Sequence, residues 1–272
     1  MGRIKIGVNL PPQRTSFEEY RQAWLQADAL GVDSIWNWDH FFPVTTLLSD
    51  PSYIDDPNGA HFEAWTTLAV LGTAVKRAHV GCLVHAMSYR NPALLSAMAK
   101  TLDHATAGRL ILGVGAGWIE RDYAEYGYDF GTAGERLRNL ERGIEIIKAR
   151  WATDQPPPRN GAVPILVAGL GETVTLRIAA QHADLWNGYG SVEVWAGKNR
   201  ILDEWCERLG RDPAAIERTV LFPREQDLDT IEDFVAAGAT HLIYRPGMRA
   251  PLHFDVVEQL LAWRDRQNAG AA

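Results

Sequence analysis

The chain has 272 residues, which suits one large α/β domain or two small ones, and its 46% apolar content is enough for a sizeable core. The net charge is −7 with 27 scattered basic residues, so the electrostatic footprint of nucleic-acid binding is missing. Neither an apolar run of about 18 residues nor a signal-peptide pattern is seen, and a cytoplasmic protein away from membranes is expected.

A β-type run at 3–9 comes first. Ser16 and Glu19 then form an S-x-x-E capping pattern ahead of a helix over 16–30, and Gly31 stops it. Further strands are predicted near 34–39, 79–85, 110–114, 164–168, 184–188, 219–223 and 241–245. The helices that follow them are predicted at 62–75, 91–106, 135–151, 172–181, 192–209, 229–237 and 254–267. One cadence recurs in "ALGVDSIW" (29–36), "TAGRLILG" (106–113) and "AAGATHLIY" (236–244): helix end, glycine, apolar strand. Eight such units match the size of an α/β protein of the (β/α)8 barrel type, one domain over 1–272. A doubly wound open sheet is the alternative.

Two connections are too long for plain turns, at 41–61 and 118–134. Both leave the C-terminal ends of strands, where barrel enzymes carry their active sites. The proline-rich stretch 153–163 enters the fifth strand on the opposite face.

The stretch "LILGVGAGW" (110–118) invites a dinucleotide reading and fails it. Its spacing is G-x-G-x-G, and about 17 loop residues separate it from the next clear helix. "PILVAGLGETV" (164–174) fits an anion better. A strand ends at Ala168, Gly169 and Gly171 bracket a turn, and a helix begins near Glu172, so its free N–H groups face a phosphate or the turn is simply tight. The eight histidines show no metal-binding spacing, and no metal is expected. The fourth strand ends in glycines, without the carboxylate that a glycosidase needs, and no G-x-S-x-G elbow is present. Cys82 and Cys206 form no C-x-x-C pattern and read as reduced thiols. With few nucleophiles or acid pairs at the mouth, the chemistry points to a bound cofactor.

Strand ends collect Asp39 and His40, then Leu83, Val84 and His85, then Gly115, Gly117 and Trp118, then Gly169 and Gly171, then Asn187. Asp39–His40 reads as a proton-handling pair or as a strand-end cap. His85 reads as structural, and Trp118 as a core plug or a pocket wall.

Taken in order, "SIWNWDHFFP" (34–43), "FEAWTTLAVL" (62–71), "LVHAMSYRNPALLSAMAKTLD" (83–103), "GRLILGVGAGWIERDYAEYG" (108–127), "GERLRNLERGIEII" (134–147) and "PILVAGLGETVTLRIAAQHADLWN" (164–187) resemble the luciferase-like monooxygenase superfamily. The similarity is to its deazaflavin-dependent branch, whose cofactor is coenzyme F420. The resemblance implies a (β/α)8 barrel with the ring at its mouth. It implies a phosphate loop at Gly169, Gly171, Glu172 and Thr173. It sets Asp39 and His40 beside the reactive ring, with His40 moving a proton and Asp39 orienting His40 or the ring. It implies cofactor contacts at Leu83, Val84, His85, Gly115, Gly117 and Asn187, and a non-proline cis peptide on the third strand, expected at Leu83–Val84. Phe41, Phe42 and Trp118 are the expected substrate wall. Members commonly pair as homodimers. Sugar-phosphate dehydrogenases of the family carry a glutamate where this chain has Trp118, so the resemblance points away from sugar phosphates to a more apolar substrate. Phe41, Phe42, Leu47, Leu48, Asp55 and Asp56 give the first long loop no basic cluster. The implied activity is hydride transfer at the ring's C5 to or from a small organic molecule. An FMN-dependent monooxygenase and a non-catalytic flavin-binding protein are the alternatives.

Overall fold

The computed structural model describes residues 3–44, 56–222, 225–248 and 250–270. Its strands are β1 (Lys5–Asn9), β2 (Ser34–Asn37), β3 (His79–Cys82), β4 (His85–Ala86), β5 (Leu110–Gly115), β6 (Ile165–Ala168), β7 (Leu185–Tyr189), β8 (Glu217–Phe222) and β9 (His241–Tyr244). All pairings are parallel, in the order β3-β2-β1-β9-β8-β7-β6-β5-β4. β3 also pairs with β5, which closes the ring. β3 and β4 are two halves of one strand, so the fold is the expected eight-stranded barrel. The break falls at Leu83–Val84, whose peptide bond is cis, as anticipated.

Around the barrel lie α1 (Phe17–Leu30), α2 (Ala64–Ala74), α3 (Pro92–Ala105), α4 (Glu120–Tyr126), α5 (Ala133–Trp151), α6 (Thr175–His182), α7 (Val192–Arg208), α8 (Ile231–Ala236) and α9 (Asp255–Gly270). The capping box ahead of α1 is formed: Ser16 Oγ accepts from Glu19 N–H, and the Glu19 carboxylate accepts from Ser16 N–H at 2.8 Å. A second box, Thr132 with Glu135, starts α5 two residues earlier than the sequence suggested. The cadence glycines have a backbone reason. Gly31, Gly108 and Gly238 sit at φ of 92°, 83° and 104°, where a side chain is disfavoured. Asp33 and Asp184, at equivalent points of two units, each accept an N–H near the start of a neighbouring strand, from Ile6 and Ile165, at 2.8 Å.

Two expectations need correction. The connection 118–134 is not all loop, because α4 forms inside it; seven residues are too few to show a 3.6-residue period. α6 begins at Thr175, not 172, because the turn that opens at Gly169 runs on to Val174 before helical bonding starts. Leu47, Leu48 and Asp55 lie outside the described residues.

Side-chain alternation decides what faces the barrel axis. Trp36 packs inward with Ile111, Leu166, Leu185 and Ile243. Below them, at the N-terminal end, is a polar plug. Trp36 Nε1–H donates to Ser34 Oγ, which lies 2.7 Å from His241 Nε2. His241 Nδ1 is 2.9 Å from Glu217, which also accepts from Lys5. Burial opposes the charge on Glu217, but His241 and Lys5 outweigh it and hold its pKa down at about 2. The Glu217–His241–Ser34 order resembles a hydrolase triad. Ser34 is buried and its oxygen is already engaged on both sides, so this is a closed floor for the barrel. Among the described residues, no helix is long and apolar enough to cross a membrane.

Candidate active site

The C-terminal mouth is walled by partly exposed apolar side chains: Leu83 and Val84 at the strand break, Ala168 at the end of β6 and Leu221 on β8, all packed on the interior cluster. His40 reaches its rim just past the end of β2. Along this segment Trp36, Trp38 and His40 share one phase and Ile35, Asn37 and Asp39 the other. Trp38 lies on the mouth side, beneath the Arg245 guanidinium at 5.0 Å. Asn37 points outward and donates to Ala64 O on α2.

This phase separates the pair that is adjacent in sequence. His40 is partly exposed and lies edge-on to Trp38 and Trp118, with ring centroids 5.8 and 5.9 Å away. Asp39 is buried on the other face. It accepts from Arg90 twice, at 2.5 and 3.1 Å, and lies 3.1 Å from His85 Nδ1. Arg90 continues to Glu63 at 2.5 Å. Burial opposes the charge on Asp39, but His85 and Arg90 together hold its carboxyl well below the usual carboxylate range. The expectation that Asp39 orients His40 is therefore corrected: its carboxylate is committed to a buried ion pair behind the mouth. His85 belongs to the same network. It is buried against Trp65 at 4.7 Å, and burial pushes its imidazole pKa down; with no exposed side-chain surface, the expected ring contact from its side chain is corrected as well.

The partner of His40 is a residue that the sequence did not flag. Asp122 in α4 puts Oδ2 2.7 Å from His40 Nδ1. Phe41 N–H and Tyr89 O–H also donate to this carboxylate, both at 3.2 Å. His61 lies nearby; burial first, then the charge of His40, push its pKa down to about 4.

Gly115, which ends β5, and Gly117 just past it do not leave open room. A Cβ on Gly115 would sit 2.7 Å from Val84 Cγ2, and one on Gly117 would sit 1.9 Å from the Tyr123 hydroxyl. Their missing side chains admit Val84 and Tyr123, so packing within the protein already accounts for both glycines. Trp118, directly after them, is 50% exposed at the rim. Phe41 is packed away from the mouth, stacked on Tyr126 at 3.9 Å and close to Tyr89 at 4.8 Å. Phe42 lies under the Arg121 guanidinium at 3.9 Å. Phe41 is thus held within an aromatic cluster, while both Phe41 and Phe42 remain partly exposed.

The turn Gly169–Val174 leads to an α6 N-terminus that has no side-chain cap. Gly169 has φ of 132°, and both Gly169 and Gly171 pass close to Thr175, 2.9 and 2.7 Å from where their Cβ atoms would be. Glu172 and Thr173 are exposed there. The Glu172 carboxylate does not point to an anion site of its own accord; it pairs with Lys198 at 2.5 Å. Asn187, buried on β7, accepts from Thr219 at 2.7 Å. Among the described residues, no cluster of His, Cys, Asp or Glu is arranged to hold a metal.

The family model of the luciferase-like monooxygenases matches residues 4–224. The chain belongs to that family. Within it, the chain is 30% identical over 264 residues to a phthiodiolone/phenolphthiodiolone dimycocerosates ketoreductase of Mycobacterium kansasii, covering 82% of this chain and 70% of that one. It is 26% identical over 155 residues to the F420-dependent glucose-6-phosphate dehydrogenase of Amycolatopsis mediterranei (strain U-32), covering 56% of this chain. The chain spans 43% of that dehydrogenase and 66% of a second ketoreductase, from Mycobacterium sp. (strain JLS). The structure of an F420-dependent secondary alcohol dehydrogenase, in complex with an F420–acetone adduct, superimposes with a TM-score of 0.81 at 16% identity, covering 95% of this chain and 98% of that one. These luciferase-like relatives are oxidoreductases.

Proposed function

We propose that this luciferase-like protein is a coenzyme F420-dependent oxidoreductase acting on a small, fairly apolar alcohol or carbonyl compound. The observation that carries the reading is the apolar mouth of Leu83, Val84, Ala168 and Leu221, with the single imidazole of His40 at its rim. A flat heteroaromatic ring suits such walls. The α6 end after Gly169 and Gly171, which has no side-chain cap, suits a phosphate tail, because the helix dipole and the first-turn N–H groups other than that of Leu176, which Gly171 O accepts, favour an anion. Glu172 and Thr173 would meet that tail through their backbone, since the Glu172 side chain is turned to Lys198. Asn187 would offer its amide to the ring edge.

The bound deazaflavin supplies a hydride donor or acceptor at C5. The chain's own part is to orient substrate and ring, exclude water, and move one proton. His40 is the group for that proton. Trp118 stands in the position of the glutamate that the resemblance assigns to sugar-phosphate members. An exposed indole there offers a flat apolar wall and no second acid, which supports an apolar substrate. A cytoplasmic setting and a homodimer belong to this proposal on the resemblance alone.

The test is a titration of the purified protein with F420 and, separately, with FMN. Binding of F420 with little affinity for FMN is expected. Tight FMN binding without F420 binding moves the protein to the monooxygenase reading, and failure of both makes it a non-catalytic family member.

A further inference from the structure

The sequence places Asp39 next to His40, and the fold gives His40 a different carboxylate. Asp122 comes from α4, 82 residues away in sequence, and is buried beneath the imidazole. An ionised carboxylate only accepts hydrogen bonds. Its three neighbours are His40 Nδ1 at 2.7 Å, Phe41 N–H at 3.2 Å and Tyr89 O–H at 3.2 Å. Two of them are fixed donors, so the carboxylate is held in place before His40 is considered. The third contact then requires the proton on Nδ1.

We propose that Asp122 is the positioning residue for His40: it fixes the Nδ1–H tautomer and leaves Nε2 as the atom that exchanges a proton with the substrate. This rests on the reading of His40 as the proton-handling group. A free imidazole favours the opposite tautomer, with the proton on Nε2, which cannot accept a proton there. The tautomer of a catalytic histidine is set by the bond its other nitrogen makes. For carbonyl reduction, a bound reduced deazaflavin would supply the hydride with its electron pair. The proton comes from Nε2 of a His40 imidazolium, and the neutral ring left behind keeps Nδ1–H on Asp122. Alcohol oxidation is the reverse: Nε2 takes the hydroxyl proton as the hydride leaves.

The arrangement differs from a pair of acids facing each other across a substrate. Trp118 fills one such place at the rim, and the carboxylate enters four residues later, on the buried side of His40. It tunes and orients the imidazole without touching the substrate.

The tautomer measurement uses the whole 272-residue chain without cofactor, so it does not depend on which cofactor binds. Two-bond 1H–15N correlation spectra at mildly alkaline pH report the tautomer of each histidine, and His40→Gln assigns the His40 signals. The expected wild-type result is the Nδ1–H form. In Asp122→Asn, the amide oxygen can stay on Phe41 N–H, which turns the NH2 group toward His40 Nδ1 and drives the ring to the Nε2–H form. Turnover should then fall at least about a hundredfold, while F420 affinity stays within about twofold. A wild-type His40 in the Nε2–H form, or a tautomer unchanged in Asp122→Asn, overturns the proposal. The wild-type spectrum decides the first point even if the variant does not fold. A purely structural Asp122 would lower stability and leave the tautomer alone.

Discussion

Asp39 offers the sharpest contrast between what its neighbour in sequence implies and what the fold does with it. If its carboxylate is a buried ion-pair partner, replacing Arg90 by leucine should be costly. The substitution removes both guanidinium contacts at 2.5 and 3.1 Å and leaves a negative charge with His85 as its remaining side-chain partner. Breaking a buried pair from one side costs about 3–5 kcal/mol, because the remaining charge has lost its compensation. For a protein of this size that is a fall in Tm of roughly 6–20 °C. Replacing both residues, in Asp39→Leu with Arg90→Leu, should recover part of the loss, since no uncompensated charge remains. The assay is urea and thermal denaturation of the wild type, both single variants and the double, with F420 affinity measured on each folded protein. The expected pattern is large single losses, positive coupling and F420 affinity changed by less than about threefold (under about 0.7 kcal/mol). A small loss in Arg90→Leu together with a tenfold or greater drop in F420 affinity in Asp39→Leu would show that the carboxylate serves the ring after all.

Three other outcomes are expected. Glu172→Gln removes the charge paired with Lys198 beside the α6 terminus and should tighten F420 binding about two- to fivefold, as fits about 0.3–1 kcal/mol for a charge at a helix end; an unchanged or weaker affinity takes that turn out of the phosphate site. Trp118→Ala should leave stability within about 1 kcal/mol, because the ring is half exposed, and raise KM for small apolar ketones about tenfold; equal KM values argue against an indole wall. His61 is held at about pKa 4 in the fold, by burial first and the charge of His40 second, against about 6.5 when unfolded. A folded pKa below the unfolded one makes stability complete above about pH 6.5 and lost progressively as the pH falls toward 4. From pH 7 to 5 this amounts to about 2 kcal/mol from His61 alone. His61→Gln should flatten the slope of unfolding free energy against pH in that window, and parallel slopes would contradict the buried-neutral account.

The fold is legible in the sequence because each βα unit carries its own local punctuation. Gly31, Gly108 and Gly238 mark left-handed helix ends, and Ser16 with Glu19 marks a helix start, all without help from distant residues. The apolar strands between them can only be buried on both faces in a parallel sheet. The site proposed here rests on His40, Trp118 and the Gly169 turn, which the sequence itself singles out. Asp39 is misleading because adjacency in a strand means opposite faces, although the alternation Trp36, Trp38, His40 was there to be read. Gly115 and Gly117 mislead for another reason. A glycine signals that something approaches closely, and whether it is a ligand or Val84 and Tyr123 depends on packing between strands far apart in sequence. Asp122 has no sequence signal, since it acts across the barrel mouth from a helix too short to announce itself.

We propose that this barrel mouth carries out hydride transfer from a deazaflavin, with His40 supplying the proton. The direct measurement loads the protein with reduced F420 deuterated at C5 and offers a panel of small apolar ketones under anaerobic conditions. The expected product is alcohol carrying one deuterium on the carbinol carbon, with turnover lost in His40→Ala while F420 remains bound. Product formed only when oxygen and FMN are supplied, carrying an oxygen atom from O2 and no deuterium, would contradict it.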